Sequence, residues 1–343
     1  MSHTPIRVAL LGAGNSGLHY HAIANIIPSA DFKLTVVAVG SAASADVARA
    51  VLGPDIEVTV GWESAVAHSG VDLAVVALPH HLHEPASIAA MEQGLHVLVE
   101  KPMALTTRAC DRMIAAAQRA GVVLEIFHQR RFEENTQLAL DLVQSGKIGR
   151  VWRVEVARFH RGYARTSSKE APHVGDRVLE WAHQKATGGG ISYVVGPHPV
   201  DLLLALLDSP VTGVQSRVYR IEGEDVDAWI GLEVDVETGA SGRVDVYRSA
   251  LHSPPRFIVH GTAGTIVAND AQSLEVHRSA GGAEEFGRFA LPGCLGGEVY
   301  SGLAAAIRGS GALTIGSDTG RSVVDVLDRA LASAEQLRLA TVR

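Results

Sequence analysis

Residues 6–17, IRVALLGAGNSG, decide how the first half of this chain folds. The apolar run VALL at residues 8–11 is typical of a strand that is buried on both faces. GAGNSG at residues 12–17 then has the form G-x-G-x-x-G and leads directly into a helical pattern over residues 18–27. Glycines at these places allow a tight turn, close approach of the backbone to a pyrophosphate, and close packing of the helix on the strand. Because the N–H groups at the start of that helix would face phosphates, the stretch predicts a dinucleotide-binding turn.

Length and composition limit what the rest of the chain can be. With 343 residues it exceeds the size at which a single core stops growing, so we expect two domains. A formal net charge of −7 without a basic cluster argues against nucleic-acid binding. There is no apolar run long enough to cross a bilayer and no signal-peptide pattern, so we expect a soluble, cytoplasmic protein that binds no membrane.

The second predicted strand, residues 34–39, ends at GSAAS, residues 40–44. An NAD-specific site would place an Asp or Glu here to bind the ribose hydroxyls, and this sequence has none. The absence leaves room for a 2′-phosphate, to which Ser41 and Ser44 could donate hydrogen bonds. We therefore expect NADP as the preferred cofactor, with NAD as the alternative. The same serines would equally well cap the following helix.

Two later strands also end in polar residues. The strand at residues 71–78 runs into Pro79-His80-His81-Leu82-His83, and the strand at 95–99 runs into Glu100-Lys101-Pro102. Ligands bind at the carboxyl ends of parallel strands, so both segments are candidates for contacts. We expect the histidines to be hydrogen-bonding groups rather than a zinc site, because no clear set of partner ligands follows. Lys101 either points across a cleft or forms a surface salt bridge in a turn.

The hydrophobic pattern changes at Val151. Before it, a helix at 106–120, a strand at 122–127 and a helix at 134–144 complete an α/β pattern, whereas segments such as VWRVEVARF alternate with the two-residue period of antiparallel strands. A long polar segment, residues 161–187, has the character of a lid, and His198 lies near the start of a helix at 199–207. Further strands are predicted at 255–260, 265–267 and 274–278, with closing helices at 297–307 and 318–337. Cys110 and Cys294 are far apart and lack C-x-x-C spacing, so no disulfide or thiolate metal site is expected.

These motifs together resemble the Gfo/Idh/MocA family, which is named for glucose-fructose oxidoreductase and inositol dehydrogenase. The resemblance rests on GAGNSG, the P-x-x-x-H of residues 79–83, Glu100-Lys101-Pro102, and GGG at 188–190 followed by GPHPVD at 196–201. RRF at 130–132 and Y-x-x-G-P-H at 193–198 are most similar to the branch containing NADP-dependent scyllo-inositol dehydrogenases. The resemblance implies an α/β protein with a doubly wound parallel Rossmann domain at 1–127. It also implies a domain at 128–343 whose large open, mostly antiparallel sheet builds a homodimer or homotetramer.

Family members mostly oxidise a secondary alcohol of a sugar or cyclitol, or reduce the corresponding ketone, with a nicotinamide cofactor. By this resemblance Lys101 and His198 are the catalytic residues, and no metal is involved. We expect cofactor contacts at the strand ends, from Gly12, Gly14, Asn15, Ser16, Gly17, Ser41, Pro79, His80, His83, Glu100, Lys101, Pro102 and Arg130. We expect substrate contacts from Lys101, Tyr193, His198 and Asp201.

The chain departs from the family pattern at one catalytic position, because the motif's aspartate is Val194 here. Valine accepts no hydrogen bond, and the loss of one acid or base helper typically costs about a hundredfold to ten-thousandfold in rate. Asp201 or Glu180 could take over, or Lys101 and His198 could suffice. The main alternative is therefore a non-catalytic, nucleotide-dependent regulator or binding protein. A third is a redox-assisted glycosidase or lyase, which shows no net change in cofactor.

Overall fold

A computed structural model of the chain describes residues 4–159, 180–248, 253–278, 282–286, 289 and 296–341. These residues form two compact units. The first contains the described residues within 1–129, 172–182 and 294–321, and the second those within 130–171, 183–293 and 322–343. Most of the predicted lid at 161–187 and all of Cys294 lie outside the described residues.

A six-stranded parallel sheet forms the core of the first unit. Its strands are β1 (Ile6–Leu11), β2 (Phe32–Val39), β3 (Glu57–Val60), β4 (Leu73–Val76), β5 (His96–Glu100) and β6 (Leu124–Phe127). Their order is β3-β2-β1-β4-β5-β6, so the chain winds outward from β1 to β3 and then returns to β4 beside β1. This confirms the doubly wound Rossmann sheet and places the reversal of strand order, where such sheets bind ligands, between β1 and β4.

Helices connect these strands and continue through the second unit. In chain order they are α1 (Ser16–Ile26), α2 (Ala42–Leu52), α3 (Trp62–Val66), α4 (His83–Glu92), α5 (Thr107–Ala120), α6 (Glu134–Gln144), α7 (Ile191–Val194), α8 (Pro197–Leu207), α9 (Gly297–Ile307) and α10 (Ser317–Thr341). Local chemistry sets their ends: Thr106 accepts a hydrogen bond from the N–H of Ala109 at the start of α5, and Gly121 ends it with φ +66°.

The chain returns to the first unit through residues 296–321, which the sequence-based division at 127/128 assigned to the second domain. The reason is packing: Val299, Tyr300 and Leu303 of α9 are buried, and the ring of Tyr300 lies edge-on to Phe32 at 5.2 Å. The N–H of Ile315 also donates to the side chain of Glu125 in β6. Helical periodicity at 297–307 shows that a helix forms but does not reveal against which sheet it packs.

An eight-stranded sheet forms the core of the second unit. Its strands are β7 (Val151–Phe159), β8 (Val211–Arg220), β9 (Asp227–Val236), β10 (Ser241–Tyr247), β11 (Phe257–Gly261), β12 (Thr265–Ala268), β13 (Glu275–Arg278) and β14 (Gly282–Glu285). The order is β14-β13-β12-β11-β7-β10-β9-β8, and every pair is antiparallel except β7 with β10. The mostly antiparallel sheet that the family resemblance implied is confirmed.

Helix α8 covers the middle of this sheet, on β7 and β10. Val154 and Val156 are buried on that face, and Leu203 packs so closely over Gly242 that a Cβ on the glycine would lie 2.6 Å from the leucine. The face explains the alternation in VWRVEVARF. No single helix in the described part has the length and apolar character to cross a membrane. The bent pair formed by Lys185–Val194 and Pro197–Leu207 reaches that character only when its members are counted together.

Candidate active site

The turn between β1 and α1 lies where the order of the parallel strands reverses. Gly12 has φ +106°, and a Cβ there would lie 2.3 Å from the carbonyl oxygen of Ala77, just beyond β4. A Cβ on Gly17 would lie 1.9 Å from the carbonyl oxygen of Gly12. Asn15, at the start of α1, makes no side-chain capping bond to the first N–H groups of the helix. Backbone that is this close-packed and donor-rich fits the phosphates of a dinucleotide.

Ser41 caps α2, since its hydroxyl oxygen accepts a hydrogen bond from the N–H of Ser44 at 3.2 Å. The two hydroxyl groups lie 3.0 Å apart, and both side chains are exposed. The capping interpretation of these serines is thus observed. Their contact with a 2′-phosphate stays a prediction.

The three histidines after β4 have different surroundings. His81 is exposed, whereas the buried ring of His80 packs edge-on against the rings of His83 and Trp181. Nδ1 of His83 lies 2.8 Å from the carbonyl oxygen of Pro102, and its Nε2 lies 2.8 Å from that of Leu78. Burial lowers the pKa of His83, although the two carbonyls act in the opposite direction. Among the described residues, no group of three or more His, Cys, Asp or Glu side chains is arranged to hold a metal ion.

Glu100, the last residue of β5, belongs to a buried chain of polar groups. One of its carboxylate oxygens lies 3.3 Å from Nε2 of His21, whose Nδ1 lies 2.9 Å from the hydroxyl oxygen of Tyr300. The other accepts a hydrogen bond from the backbone N–H of Lys101 at 3.1 Å. Burial raises the pKa of Glu100, but the hydrogen bond with His21 and the charge of Lys101 outweigh it, so the net shift is downward. Glu100 therefore holds the lysine turn as an anion.

Lys101 is fixed from both sides as a result. Glu100 binds its N–H on one side, and on the other the carbonyl of Pro102 faces His83. Its side chain is half-buried at the carboxyl edge of the parallel sheet. This turn is thus held in place by Glu100, Pro102 and His83. Their predicted contacts with the cofactor stay predictions.

His198 lies in the second unit, at the start of α8, and lines a cleft of about 360 Å³. Arg130 and Asp201, both candidates from the sequence, line the same cleft, as does Arg131 of the RRF motif. Sequence reasoning missed three further charged residues, Glu133, Arg158 and Arg256. Arg256 precedes β11 and is far from the others in sequence, so its place here depends on the pairing of β11 with β7.

Ion pairs organise the cleft. Glu133 is 1% exposed and accepts hydrogen bonds from Arg130, at 2.7 Å, and from Arg256. Burial raises the pKa of Glu133, but the charges of the two arginines outweigh it and the pKa is lowered. Asp201 is equally buried and binds Nε and Nη2 of Arg131. Both carboxylates are therefore buried partners of arginines.

At the position of the family aspartate, this chain has an apolar side chain. Val194 is 7% exposed and ends α7, the short helix before His198. Asp201, the first residue considered as a replacement, is committed to Arg131, and Glu180 is exposed. Tyr193 is mostly buried, which raises its pKa, and it is not among the described side chains that line the cleft. Its substrate contact stays a prediction.

The glycine run before α7 has a structural task. Gly190 has φ +102°, and a Cβ there would lie 2.3 Å from the carboxylate of Asp227 in β9. That carboxylate accepts hydrogen bonds from the N–H and the hydroxyl of Ser192, at 2.8 and 2.6 Å. Asp227 thereby fixes the start of α7 and the approach to His198.

Comparison with known proteins agrees with this geometry. Residues 6–128 match the sequence profile "Oxidoreductase family, NAD-binding Rossmann fold", and residues 136–267 match the profile "GFO/IDH/MocA C-terminal domain". The chain belongs to the Gfo/Idh/MocA oxidoreductase family. Membership confirms the resemblance seen in GAGNSG, Glu100-Lys101-Pro102 and GPHPVD, and gives the first unit an NAD-binding Rossmann fold.

Several relatives of this chain are known. It is 29% identical to the uncharacterised oxidoreductase YdgJ of Escherichia coli over 82% of this chain and 71% of YdgJ. It is 23% identical to the NADP-dependent scyllo-inositol 2-dehydrogenase IolW of Bacillus subtilis, covering 97% of this chain and 95% of IolW. Levoglucosan dehydrogenase, solved with NADH and levoglucosan, has the same fold, with a TM-score of 0.80, 23% identity, and coverage of 97% of this chain and 98% of that one.

Proposed function

We propose that this chain transfers a hydride between a nicotinamide cofactor and a secondary alcohol or ketone of a sugar, cyclitol or related polyol. The observation that carries the proposal is that the turn around Lys101 is held in place on both sides. The carboxylate of Glu100 accepts a hydrogen bond from the N–H of Lys101, and Nδ1 of His83 lies 2.8 Å from the carbonyl oxygen of the next residue, Pro102. The turn lies at the carboxyl edge of an NAD-binding sheet, where such sheets hold their ligands. The names of IolW and levoglucosan dehydrogenase support the class of substrate.

In the proposed oxidation, a hydroxyl group loses its proton and the same carbon loses a hydride. Bound nicotinamide supplies the hydride acceptor. The ammonium group of Lys101 binds the substrate oxygen and stabilises the negative charge that develops on it. The imidazole of His198 accepts the hydroxyl proton, a task for which a side chain that titrates near neutral pH is suited. Val194 contributes no proton transfer, so the reaction relies on Lys101 and His198.

Spectrophotometric assays with NADP⁺ and NAD⁺ against cyclitols, aldoses and sugar acids test the proposal. We expect turnover of at least one compound, and at least a hundredfold loss of kcat in Lys101→Met with cofactor binding retained. Lys147→Met is the matched control, because Lys147 is exposed in the loop after α6. Full turnover by Lys101→Met would show that the assignment of the lysine is wrong.

NADP preference and assembly into a homodimer or homotetramer are further parts of this proposal. The absence of an acid at residues 40–44 and the hydroxyls of Ser41 and Ser44 support NADP. Light scattering on the purified protein measures the mass of the assembly.

The buried Val194 favours one other candidate function, a nucleotide-dependent regulator or binding protein without turnover. Tight binding of NADPH, together with no conversion of any compound, supports that alternative. Product analysis by chromatography must accompany the absorbance assay, because a redox-assisted lyase or glycosidase converts its substrate without a net change in nicotinamide.

A further inference from the structure

The cleft around His198 has more positive than negative charge. Its described lining residues include four arginines, namely Arg130, Arg131, Arg158 and Arg256, but only two carboxylates, those of Glu133 and Asp201. Excess positive charge in a partly enclosed site is unfavourable unless an anion offsets it. A neutral polyol supplies no such charge.

The carboxylates and the arginines differ in exposure. Glu133 and Asp201 are 1% and 3% exposed, whereas Arg130, Arg131 and Arg256 are 32%, 20% and 16% exposed. The carboxylates are therefore the more buried members of these ion pairs, and the arginine side chains are the more accessible ones. Planar guanidinium groups that are oriented in this way match the two oxygens of a carboxylate or phosphate.

One arginine of the cleft also has a hydrogen-bond donor without a partner among the described residues. Glu133 engages Nη1 of Arg130 and Nη2 of Arg256, while Nη1 of Arg256 is buried and has no hydrogen-bond partner in the described part of the chain. A buried donor without a partner costs about 1–3 kcal/mol, so an acceptor that reaches Nη1 of Arg256 is stabilised there. Arg158 extends the same surface, because it lies two residues beyond the buried Val156 on the same face of β7.

We propose that the substrate is a polyol that carries an anionic group, a carboxylate or a phosphate, which Arg158 and Arg256 of this cleft bind while the reacting hydroxyl lies at His198. The inference rests on the proposed function for the reacting hydroxyl. The anion site itself depends only on the residues of the cleft.

Matched pairs of compounds test the charge requirement. We compare kcat/KM for D-glucose with D-glucuronate and D-glucose 6-phosphate, and for myo-inositol with myo-inositol 1-phosphate. Since a hydrogen bond to a charged group contributes about 1.5–3 kcal/mol, we expect the anionic member to be preferred by about tenfold to 150-fold. The glucuronate and phosphate arms show which of the two groups the cleft binds.

Single substitutions test the residues. In Arg158→Gln and Arg256→Gln the preference for the anionic member should fall by tenfold or more, mainly through KM. Arg153→Gln is the matched control, because Arg153 lies on the opposite face of β7 and pairs with Glu155 and Glu233. Arg158→Gln keeps the test valid if Arg256→Gln fails to fold for lack of the pair with Glu133.

Calorimetric titration of the wild-type protein with the same compounds separates this inference from the proposed function. Turnover of neutral compounds with equal or better kcat/KM overturns the anionic substrate and leaves the proposed function intact. Binding of an anionic compound that Arg158→Gln weakens, without turnover, supports the anion site and removes the oxidoreductase proposal. Failure of every anionic compound to bind overturns the inference.

Discussion

At the scale of one residue, the motif histidine His83 supports the site through its contacts with main-chain carbonyl groups. Both ring nitrogens lie 2.8 Å from main-chain carbonyl oxygens, one just after β4 and one in the lysine turn, and the side chain is fully buried. We expect His83→Leu to lower the free energy of unfolding by about 1–3 kcal/mol, because a buried carbonyl loses the N–H donor of the neutral ring. Turnover should fall with it, as the Lys101 turn loses one support. Urea unfolding and steady-state kinetics measure both effects.

His81→Leu is the control for this prediction, since His81 is exposed two residues earlier in the chain. Its effect on stability should stay within about 0.5 kcal/mol. Equal stability and turnover in the two variants would contradict the supporting role of His83.

Glu125 is a second residue whose burial has a measurable consequence. Its side chain is fully buried in β6, one oxygen accepts a hydrogen bond from the N–H of Ile315, and the other has no partner among the described residues. Burial raises its pKa from 4.5 to about 7 against the opposing backbone hydrogen bonds. Between these values the native state holds a proton that the unfolded chain has released, so the stability that Glu125 contributes falls as the pH rises from 4.5 to about 7.

The neutral isostere Glu125→Gln should remove this dependence. At pH 8 we expect it to raise the free energy of unfolding by up to about 3 kcal/mol, and to change it little near pH 4.5. Urea unfolding across this pH range measures the difference, with Glu92→Gln at an exposed position of α4 as the control. Parallel stability profiles for wild type and Glu125→Gln would contradict the buried-carboxyl interpretation.

At the scale of elements, the packing of α1 on β1 depends on Gly17. Alanine there would place its Cβ 1.9 Å from the carbonyl oxygen of Gly12, so the helix must shift away from the turn. Overpacking of this kind costs about 1–3 kcal/mol, and it moves the N–H groups that are predicted to face the cofactor phosphates. We expect Gly17→Ala to bind NADPH at least tenfold more weakly, as measured by nicotinamide fluorescence.

Gly297→Ala, at the start of α9, is the matched substitution, because nothing lies within 4 Å of the Cβ that it adds. Its affinity for NADPH should equal that of the wild type. If Gly17→Ala binds NADPH equally well, the turn is not the cofactor site.

At the scale of the whole molecule, a preference for one cofactor can be measured as a difference in thermal stability between the protein with NADPH and the protein with NADH. A ligand at one hundred times its Kd stabilises the folded protein by about 2.7 kcal/mol, so the nucleotide that binds more tightly raises Tm further at equal concentration. We expect a larger rise with NADPH than with NADH. Ser41→Asp should reverse the order, because a carboxylate repels a 2′-phosphate and accepts hydrogen bonds from ribose hydroxyls.

Ser41→Asn controls for the helix cap, since Ser, Asp and Asn all cap helices well and only Asp adds charge. It should keep the order of the wild type. Equal Tm shifts with both nucleotides in the wild type would contradict the NADP preference.

Local patterns of the sequence were sufficient for much of the fold. Helices α6 and α9 begin and end where their periodicity predicts, because a long amphipathic pattern and its flanking residues carry the information. Sequence patterns missed or did not separate the strands β3 and β14 and the helices α3 and α7. EVTV in β3 and GAEE in β14 are not apolar runs like LAVV in the equally short β4, and a helix of four or five residues completes little more than one turn.

The sequence by itself determined the Rossmann sheet, the family and the identity of Lys101 and His198 as candidates, because buried strands, glycine turns and motif residues are contiguous in the chain. Only the tertiary structure decided that His21 and Tyr300 support Glu100, and that α9 packs in the first unit. It also decided that Arg256 shares Glu133 with Arg130. The physical reason is that these partners are brought together by strand pairing and core packing, which no spacing along the sequence encodes.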